Sequence, residues 1–491
     1  MLKGVSTCGE KMRPHLIIRY VAFTLFLNAG FLLIAAVISG LNSDTAFFPL
    51  LYTFIIATLF GIFPILFVPG EVGSISNKEG LAIVVYSWIL SCSIGTLPFV
   101  LWGGEFTFTN AWFESVSGYT TTGSSILINI EALPLGLLFW RSVTHWIGGI
   151  GIIIFALAVL PQLSPLAMVL YRAEGPDRSL QTFSHIGRRS IQILLRVYVG
   201  LTLVETVALL FCGMGLFDAI TTSFATIATG GFSPRNMSIA HYGSSAVEIV
   251  VMVFMIFSGM NFILLFEAIS GKPRVLLQSS TLRYYLLALL IGVAITTLSL
   301  HGSGFGSWTK ALRYSAFQVI SIGTSTGFAT TDSSIWPPFA QLVLLFFTFQ
   351  CACASSTSGG IKADRMVLFF KSVARRFKQE RNPRAVIPIR LDGKAVEDGM
   401  ANLGVLYICL YVGIVVVSAG LLTAMGIDGL SAFSGSAATM GNVGPGLGTV
   451  GSESNFAHIP SLGKWILSFT MLAGRLEIYG LIICLNPFYR R

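Results

Sequence analysis

Ten apolar runs restrict this chain more than any other feature. They lie at about 16–41, 47–69, 81–103, 135–160, 190–216, 245–270, 282–301, 338–370, 400–425 and 462–488. Several exceed the roughly 18 apolar residues that a membrane-spanning helix needs. Only 11% of the 491 residues are charged, and mean hydropathy is +0.77. An ordinary globular chain carries about 25% charged residues. The runs therefore predict an all-α integral membrane protein. No cleavable signal peptide is evident: the run after the basic residues 1–19 is too long for a signal core and lacks a small-residue cleavage site.

An even number of spans puts both termini on one side. With the N-terminus in the cytoplasm, 25 of the 31 Lys and Arg fall in inner segments. Five fall outside (Arg141, Arg235, Lys310, Arg313 and Lys464), and Arg475 remains within the last run. Cytoplasmic loops carry the excess of basic residues, so both termini are expected to be cytoplasmic. The net charge of +9 then belongs at the cytoplasmic leaflet and calls for no nucleic acid. Cys351 and Cys353 form C-x-C with no His/Cys cluster beside them, which reads as small core residues and not as a metal or redox site.

The outer connections carry a repeat. Residues 104–134, 217–244, 302–337 and 426–461 are long, each beginning with a short helix-like stretch and then turning polar. The polar pieces read GYTTTGSS (118–125), TIATGGFS (226–233), GTSTGFAT (323–330) and TMGNVGPG (439–446). Their central glycines, 123, 231, 327 and 444, are 108, 96 and 117 residues apart. Helix, short helix, Gly loop, helix thus occurs four times, a period typical of transport proteins built from repeated modules. The first two runs stand outside it. The expected units are 1–79 (two N-terminal helices), 80–165, 166–275, 276–398 and 399–491 (pore modules).

Irregular backbone at membrane depth survives only if buried in protein or lining an aqueous path. Four such loops from one chain can ring one axis, with carbonyls replacing the water shell of a cation. A short helix ending at each loop presents the negative end of its dipole to that cation. The candidate ligating positions are Thr121, Thr122 and Gly123; Thr229, Gly230 and Gly231; Ser325, Thr326 and Gly327; and Asn442, Val443 and Gly444. Whether the second loop turns on Gly230 or Gly231 is left open. A secondary transporter for a small solute would predict inverted repeats and mid-helix breaks. An intramembrane enzyme would need a nucleophile–base pair or a metal cluster, and no such spacing stands out. A Na⁺-permeable transporter also remains open, because the loops lack the full T-V-G-Y-G pattern.

Three further features fall inside or beside the runs. Arg475 sits mid-run with Glu477 two residues on, and an intramembrane charge faces a cavity or a partner. An internal ion pair with Glu114, Glu205 or Glu267 is the structural alternative. CACASSTSGGIKADR (351–365) interrupts the second long helix of the third module, as a loop or as a kink. His145 reads as a packed interfacial histidine, and RRFKQERNPR (375–384) as a solvated connection or part of a docking face.

At this point the residues resemble the Trk-type potassium-uptake family, in its TrkH-like membrane subunit. HWIGGIGIIIFALAVLPQLS (145–164), YRAEGPD (171–177), TGGFSPRNMSI, STGFATTDSSIWP, NVGPGLGTVG and GRLEIYG (474–480) carry the resemblance, which covers almost the whole chain. The two extra N-terminal helices fit this branch better than the shorter Ktr-type branch. The resemblance implies four pseudo-symmetric modules around one pore, K⁺ as the transported ion, and uptake across a bacterial inner membrane, as a symporter or a channel-like transporter, without enzymatic chemistry. It implies a homodimer among membrane lipids and a cytosolic nucleotide-binding regulatory ring (TrkA-like) that carries any nucleotide itself. It also implies a gating loop containing Ser355, Ser356, Gly359, Gly360 and Lys362. Lys362 is expected to hold that loop by pairing with an acid. Arg475 is expected as an electrostatic barrier below the filter, steered by Glu477.

Overall fold

The structure, a computed structural model, describes residues 13–69, 77–159, 180–385, 387–392, 394–396 and 398–478. Lys3, Lys11, the 171–177 signature, Arg490 and Arg491 lie outside the described residues. Two helices, α1 (Pro14–Leu41) and α2 (Phe47–Phe67), precede the repeat. Module 1 contains α3 (Asn77–Trp102), α4 (Phe108–Tyr119) and α5 (Leu135–Val159). Module 2 contains α6 (Leu180–Phe211), α7 (Leu216–Ile227), α8 (Ser245–Gly259), α9 (Phe262–Ile269) and the short α10 (Arg274–Gln278). Module 3 contains α11 (Ser280–Gly302), α12 (Trp308–Gly323), α13 (Pro338–Phe349) and α14 (Ala363–Arg381). Module 4 contains α15 (Asp398–Ala424), α16 (Gly429–Gly441) and α17 (Ser461–Arg475).

Among the described residues, α1, α2, α3, α6, α11 and α15 are each long and apolar enough to cross a membrane, and the bent pair α8–α9 makes a seventh such unit. Three of the four short helices, α4, α12 and α16, start where the sequence supplies a capping side chain, while α7 starts after Gly215 without one. Thr107, Ser307 and Asp428 accept the backbone N–H of Asn110, Lys310 and Ser431, satisfying donors that a helix N-terminus leaves unpaired.

Packing between modules closes a ring. The helix after each Gly loop packs on the short helix of the next module: α5 on α7, α8 on α12, α13 on α16, and α17 on α4. The last contact returns module 4 to module 1. Trp140, Tyr119 and Phe113 are fully buried in the core that joins α3, α4 and α5.

Two departures from the sequence reading have local causes, and the break expected within 351–365 is present. The run 245–270 is not one helix but bends by 107° between α8 and α9. Asn261 caps the second piece, its side-chain oxygen accepting the N–H of Ile263 and Leu264, and Gly259 gives its carbonyl to the Cys353 N–H at 3.0 Å. The run 338–370 is interrupted from 350 to 362, between α13 and α14. Lastly, Ile389–Leu391 (β1) and Lys394–Val396 (β2) form a small antiparallel hairpin. Its Asp392 carboxylate accepts the N–H of Ser280 and so caps the start of α11.

Candidate functional site

The four Gly loops begin as helix caps. At the end of α4 the Thr121 N–H reaches the Gly118 carbonyl at 3.0 Å and the Thr122 N–H reaches Ser117 at 2.8 Å. Thr229 and Gly230 bond Thr226 and Ala225 in the same way, Ser325 and Thr326 bond Ile322 and Ser321, and Asn442 and Val443 bond Thr439 and Ala438. This is the Schellman arrangement, which needs a left-handed residue just past the helix. The residues there are Thr121, Thr229, Ser325 and Asn442, with φ of 51°, 53°, 57° and 52°. Glycine is the usual choice, and a non-glycine residue in that conformation costs about 1–2 kcal/mol. Four repetitions of that cost at matching places mark a built feature.

Two residues further on, Gly123, Gly231, Gly327 and Gly444 have φ of 85°, 80°, 84° and 97°. The second loop therefore turns on Gly231. The left-handed residue, a spacer and a left-handed glycine form one conformational unit, repeated four times. The cap consumes the N–H groups and leaves the carbonyls. Among the described residues, no donor reaches the carbonyl of Thr121, Thr122, Gly123, Thr229, Gly230, Gly231, Ser325, Thr326, Gly327, Asn442 or Val443. Gly444 alone among the twelve accepts a bond, from the Ser124 hydroxyl at 2.9 Å. Buried carbonyls need a partner, so this set suits a cation or its water.

The loops also interlock in a ring. A Cβ on Gly123 would strike the Gly230 carbonyl oxygen, on Gly231 that of Thr326, on Gly327 that of Val443, and on Gly444 that of Thr122. Every one of these approaches is under 3.0 Å, closer than real Cβ atoms come. Only glycine lets the four backbones meet. A second ring of bonds ties the outer ends. The Asn236 side chain accepts the Ile130 N–H, Ala240 donates to Ala329, Ser333 to the Ser452 hydroxyl, and Phe456 to Ser125.

Side chains behind the loops hold this geometry. His145 sits between modules, its Nδ1 2.8 Å from the Gly118 carbonyl and its Nε2 accepting the Phe232 N–H at 3.1 Å. Those two bonds require one donor and one acceptor nitrogen, so the ring is a neutral spacer. Glu114 and Arg141 form a wholly buried ion pair at 2.8 Å. Glu114 also accepts the Ile126 N–H at 3.0 Å, and Arg141 lies 4.1 Å over the Phe232 ring. Arg141, counted outside in the charge sorting, is thus a buried strut between the first two loops. Removing one partner of such a pair strands the other charge and costs about 3–5 kcal/mol. We therefore expect Arg141→Met to lower thermal stability in detergent strongly. The double variant Arg141→Met with Glu114→Leu should recover part of the loss.

Residues 350–362 run beneath the loops. Their base is zipped: Cys351 donates to Ile361, Ile361 to Phe349, and Ala363 to Ala352. Cys351 and Cys353 are buried within it. Ser355 is left-handed (φ 58°) and its carbonyl accepts the Phe262 N–H. The Ser356 hydroxyl donates to the Cys353 carbonyl at 2.6 Å. Thr357 donates to the Ile227 carbonyl at the end of α7, and the Gly359 N–H donates to the Ser325 hydroxyl at 3.0 Å. Gly359 lies so near Gly441 and Asn442 that a Cβ would clash, and Gly360 (φ 62°) lies equally near the Cys351 sulfur. One loop thus touches the ends of the second, third and fourth short helices.

The charges are arranged differently from the sequence reading. The Lys362 ammonium donates to the Ser358 carbonyl of its own loop and forms no ion pair among the described residues. Glu477 does not steer Arg475; it pairs with Arg365, whose guanidinium lies 3.9 Å over the Tyr407 ring. Arg475 is 1% exposed and bonds two backbone carbonyls, Thr357 at 2.7 Å and Gly148 at 3.2 Å. Among the described residues no ion pair joins it to Glu114, Glu205 or Glu267. It bridges the 350–362 loop to α5.

Helices in a closed ring of four modules, with four interlocked Gly loops at the centre, define a multi-pass membrane protein of the transport class. A family model described as TrkH, cation transport protein, matches residues 72–487. The chain belongs to that family. It is 36% identical to the Trk system potassium uptake protein TrkH of Escherichia coli K12 over 487 residues, covering 98% of this chain and 100% of that protein. It is also 34% identical to the protein of that name from Halomonas elongata, covering 84% of this chain and 86% of the relative. The crystal structure of the potassium transporter TrkH from Vibrio parahaemolyticus superposes with a TM-score of 0.89 at 34% identity, covering 98% of this chain and 100% of that chain.

Proposed function

We propose that this protein takes up K⁺ through a filter made by the backbone carbonyls of its four Gly loops. The observation that carries the proposal is the ring in which Gly123, Gly231, Gly327 and Gly444 each abut a carbonyl of the next module. Carbonyls so arranged replace a hydration shell by fixed dipoles, and no fixed carboxylate is needed. The relatives named for potassium uptake support K⁺ as the ion. The membrane is a bacterial inner membrane with both termini cytoplasmic, as the basic inner segments favour. The molecule works as a homodimer with a cytosolic nucleotide-binding ring, and the 350–362 loop is the gate that the ring controls. Arg475 is the positive barrier beside it.

Ion flux into liposomes tests this reading. K⁺ and Rb⁺ should pass at least about tenfold faster than Na⁺ and Li⁺, equivalent to about 1.4 kcal/mol of discrimination. Equal flux of all four ions would overturn the filter. Deleting Ser355 to Gly360 and rejoining the ends should raise K⁺ flux without the partner. An assembled deletion variant with wild-type or lower flux would make the loop a structural kink.

A further inference from the structure

The second half of α14 carries charge that the conduction path does not use. The helix starts at Ala363, directly after the 350–362 loop, and its first residues are buried. Its depth follows from length. α13 spends 12 residues reaching the loop. That is about 18 Å at 1.5 Å per residue, a little over half of the roughly 30 Å hydrocarbon core. α14 therefore begins near the midplane, and about ten residues carry it to the inner hydrocarbon edge, close to Val373. The headgroup layer beyond is about 5–7 Å thick and takes the next four or five residues.

Arg376 and Lys378 fall in that layer, and Arg381 lies one turn further on; all three are exposed. Arg376 faces Glu380 at 3.8 Å with both side chains largely in the open, a pairing worth little. On the same helix Phe370, Val373 and Phe377 are 48%, 39% and 73% exposed. Their i, i+3, i+7 spacing puts them on one face. From 362 to 394 the chain holds ten Lys and Arg against the acids Asp364, Glu380 and Asp392. An apolar stripe flanked by cations, at the depth of the phosphates, matches an anionic lipid surface in both charge and position.

We propose that the second half of α14 binds anionic phospholipid of the cytoplasmic leaflet. Arg376 and Lys378 take the headgroup phosphates and Arg381 reaches back to them from one turn further on, Phe370 and Val373 lie against the acyl chains, and Phe377 packs at headgroup level. The helix is continuous from this surface back to the loop, and Arg365 fastens its buried end to Glu477. Lipid bound at the far end therefore bears on the loop's position, a consequence that rests on the gate reading.

The test uses the full chain recovered from vesicles of equal phosphatidylcholine and phosphatidylglycerol, with retained lipid counted by native mass spectrometry. Wild type should retain phosphatidylglycerol preferentially. Combined Arg376→Gln, Lys378→Gln and Arg381→Gln should cut that preference at least about tenfold, since each surface cation contributes about 1 kcal/mol to anionic-lipid binding. Combined Lys272→Gln, Arg274→Gln and Arg283→Gln should leave most of it. An unchanged preference in the first variant, or an equal loss in the second, overturns the proposal. So does a first variant that keeps its lipid but loses self-association or partner binding, which would assign the surface to protein. Rb⁺ uptake is then compared in vesicles with and without phosphatidylglycerol. A lipid effect on wild type that the first variant lacks supports the link to the loop. Lipid-independent uptake alongside a lost preference keeps the lipid site and removes the link.

Discussion

Gly123→Ser should abolish most K⁺ over Na⁺ discrimination while the protein still folds and inserts. The side chain would force its Cβ into the Gly230 carbonyl oxygen and hold a non-glycine residue at φ 85°. The strain is about 1–3 kcal/mol, local and far from the lipid-facing helices. The carbonyl that must yield belongs to module 2, so the damage crosses to the neighbouring loop. Loss of about 1.4 kcal/mol of preferential K⁺ coordination lowers the flux ratio about tenfold. Gly231→Ser, Gly327→Ser and Gly444→Ser should behave alike, because each abuts the next carbonyl in the ring. The measurement is the K⁺/Na⁺ flux ratio in liposomes at matched protein density. An unchanged ratio in a well-folded Gly123→Ser protein would remove that loop from the filter.

Arg475→Ala should conduct faster than wild type. The guanidinium is buried and bonds only backbone carbonyls among the described residues, so no acid there neutralises it beside the proposed path. At about 6 Å and an effective dielectric constant near 20, repulsion of a passing cation is about 3 kcal/mol before screening. A barrier of that height slows permeation up to about a hundredfold. Uptake persists because the inward potential supplies about 2.3 kcal/mol per charge per 100 mV. The same substitution also frees the Thr357 carbonyl and so loosens the loop, which acts in the same direction. Arg475→Lys keeps the charge but not the fork that reaches two carbonyls, so it should stay closer to wild type. Rb⁺ uptake at matched protein density checks both. A folded Ala variant slower than wild type would make Arg475 a structural brace and end the barrier account.

Much of this architecture was legible because its signals are local. Apolar length locates the spans, and a short helix-like stretch opens each of the four outer connections. Glycines 123, 231, 327 and 444 repeat at one place in each module. What sequence reading missed depends on contacts between distant residues. Arg365 and Glu477 are 112 positions apart, and nothing in their spacing favours that pair over one between Glu477 and Arg475, its near neighbour. Glu114 was equally available to Arg141 or Arg475 until the helices were placed. The α8–α9 bend did leave a sign: Ser258, Gly259, Met260 and Asn261 combine a glycine with a capping residue. The apolar pattern continues on both sides and hides it. Likewise the Asp392-Gly393 pair is a standard hairpin signal, obscured by the surrounding basic segment.

The most direct test of the central claim is to locate a bound cation. Crystals grown in Rb⁺ should show an anomalous peak on the pore axis, ringed by the carbonyl oxygens of Thr122, Gly230, Thr326 and Val443, and the peak should weaken when Na⁺ replaces Rb⁺. An ordered filter with no peak there, in protein that still transports Rb⁺, would contradict the account.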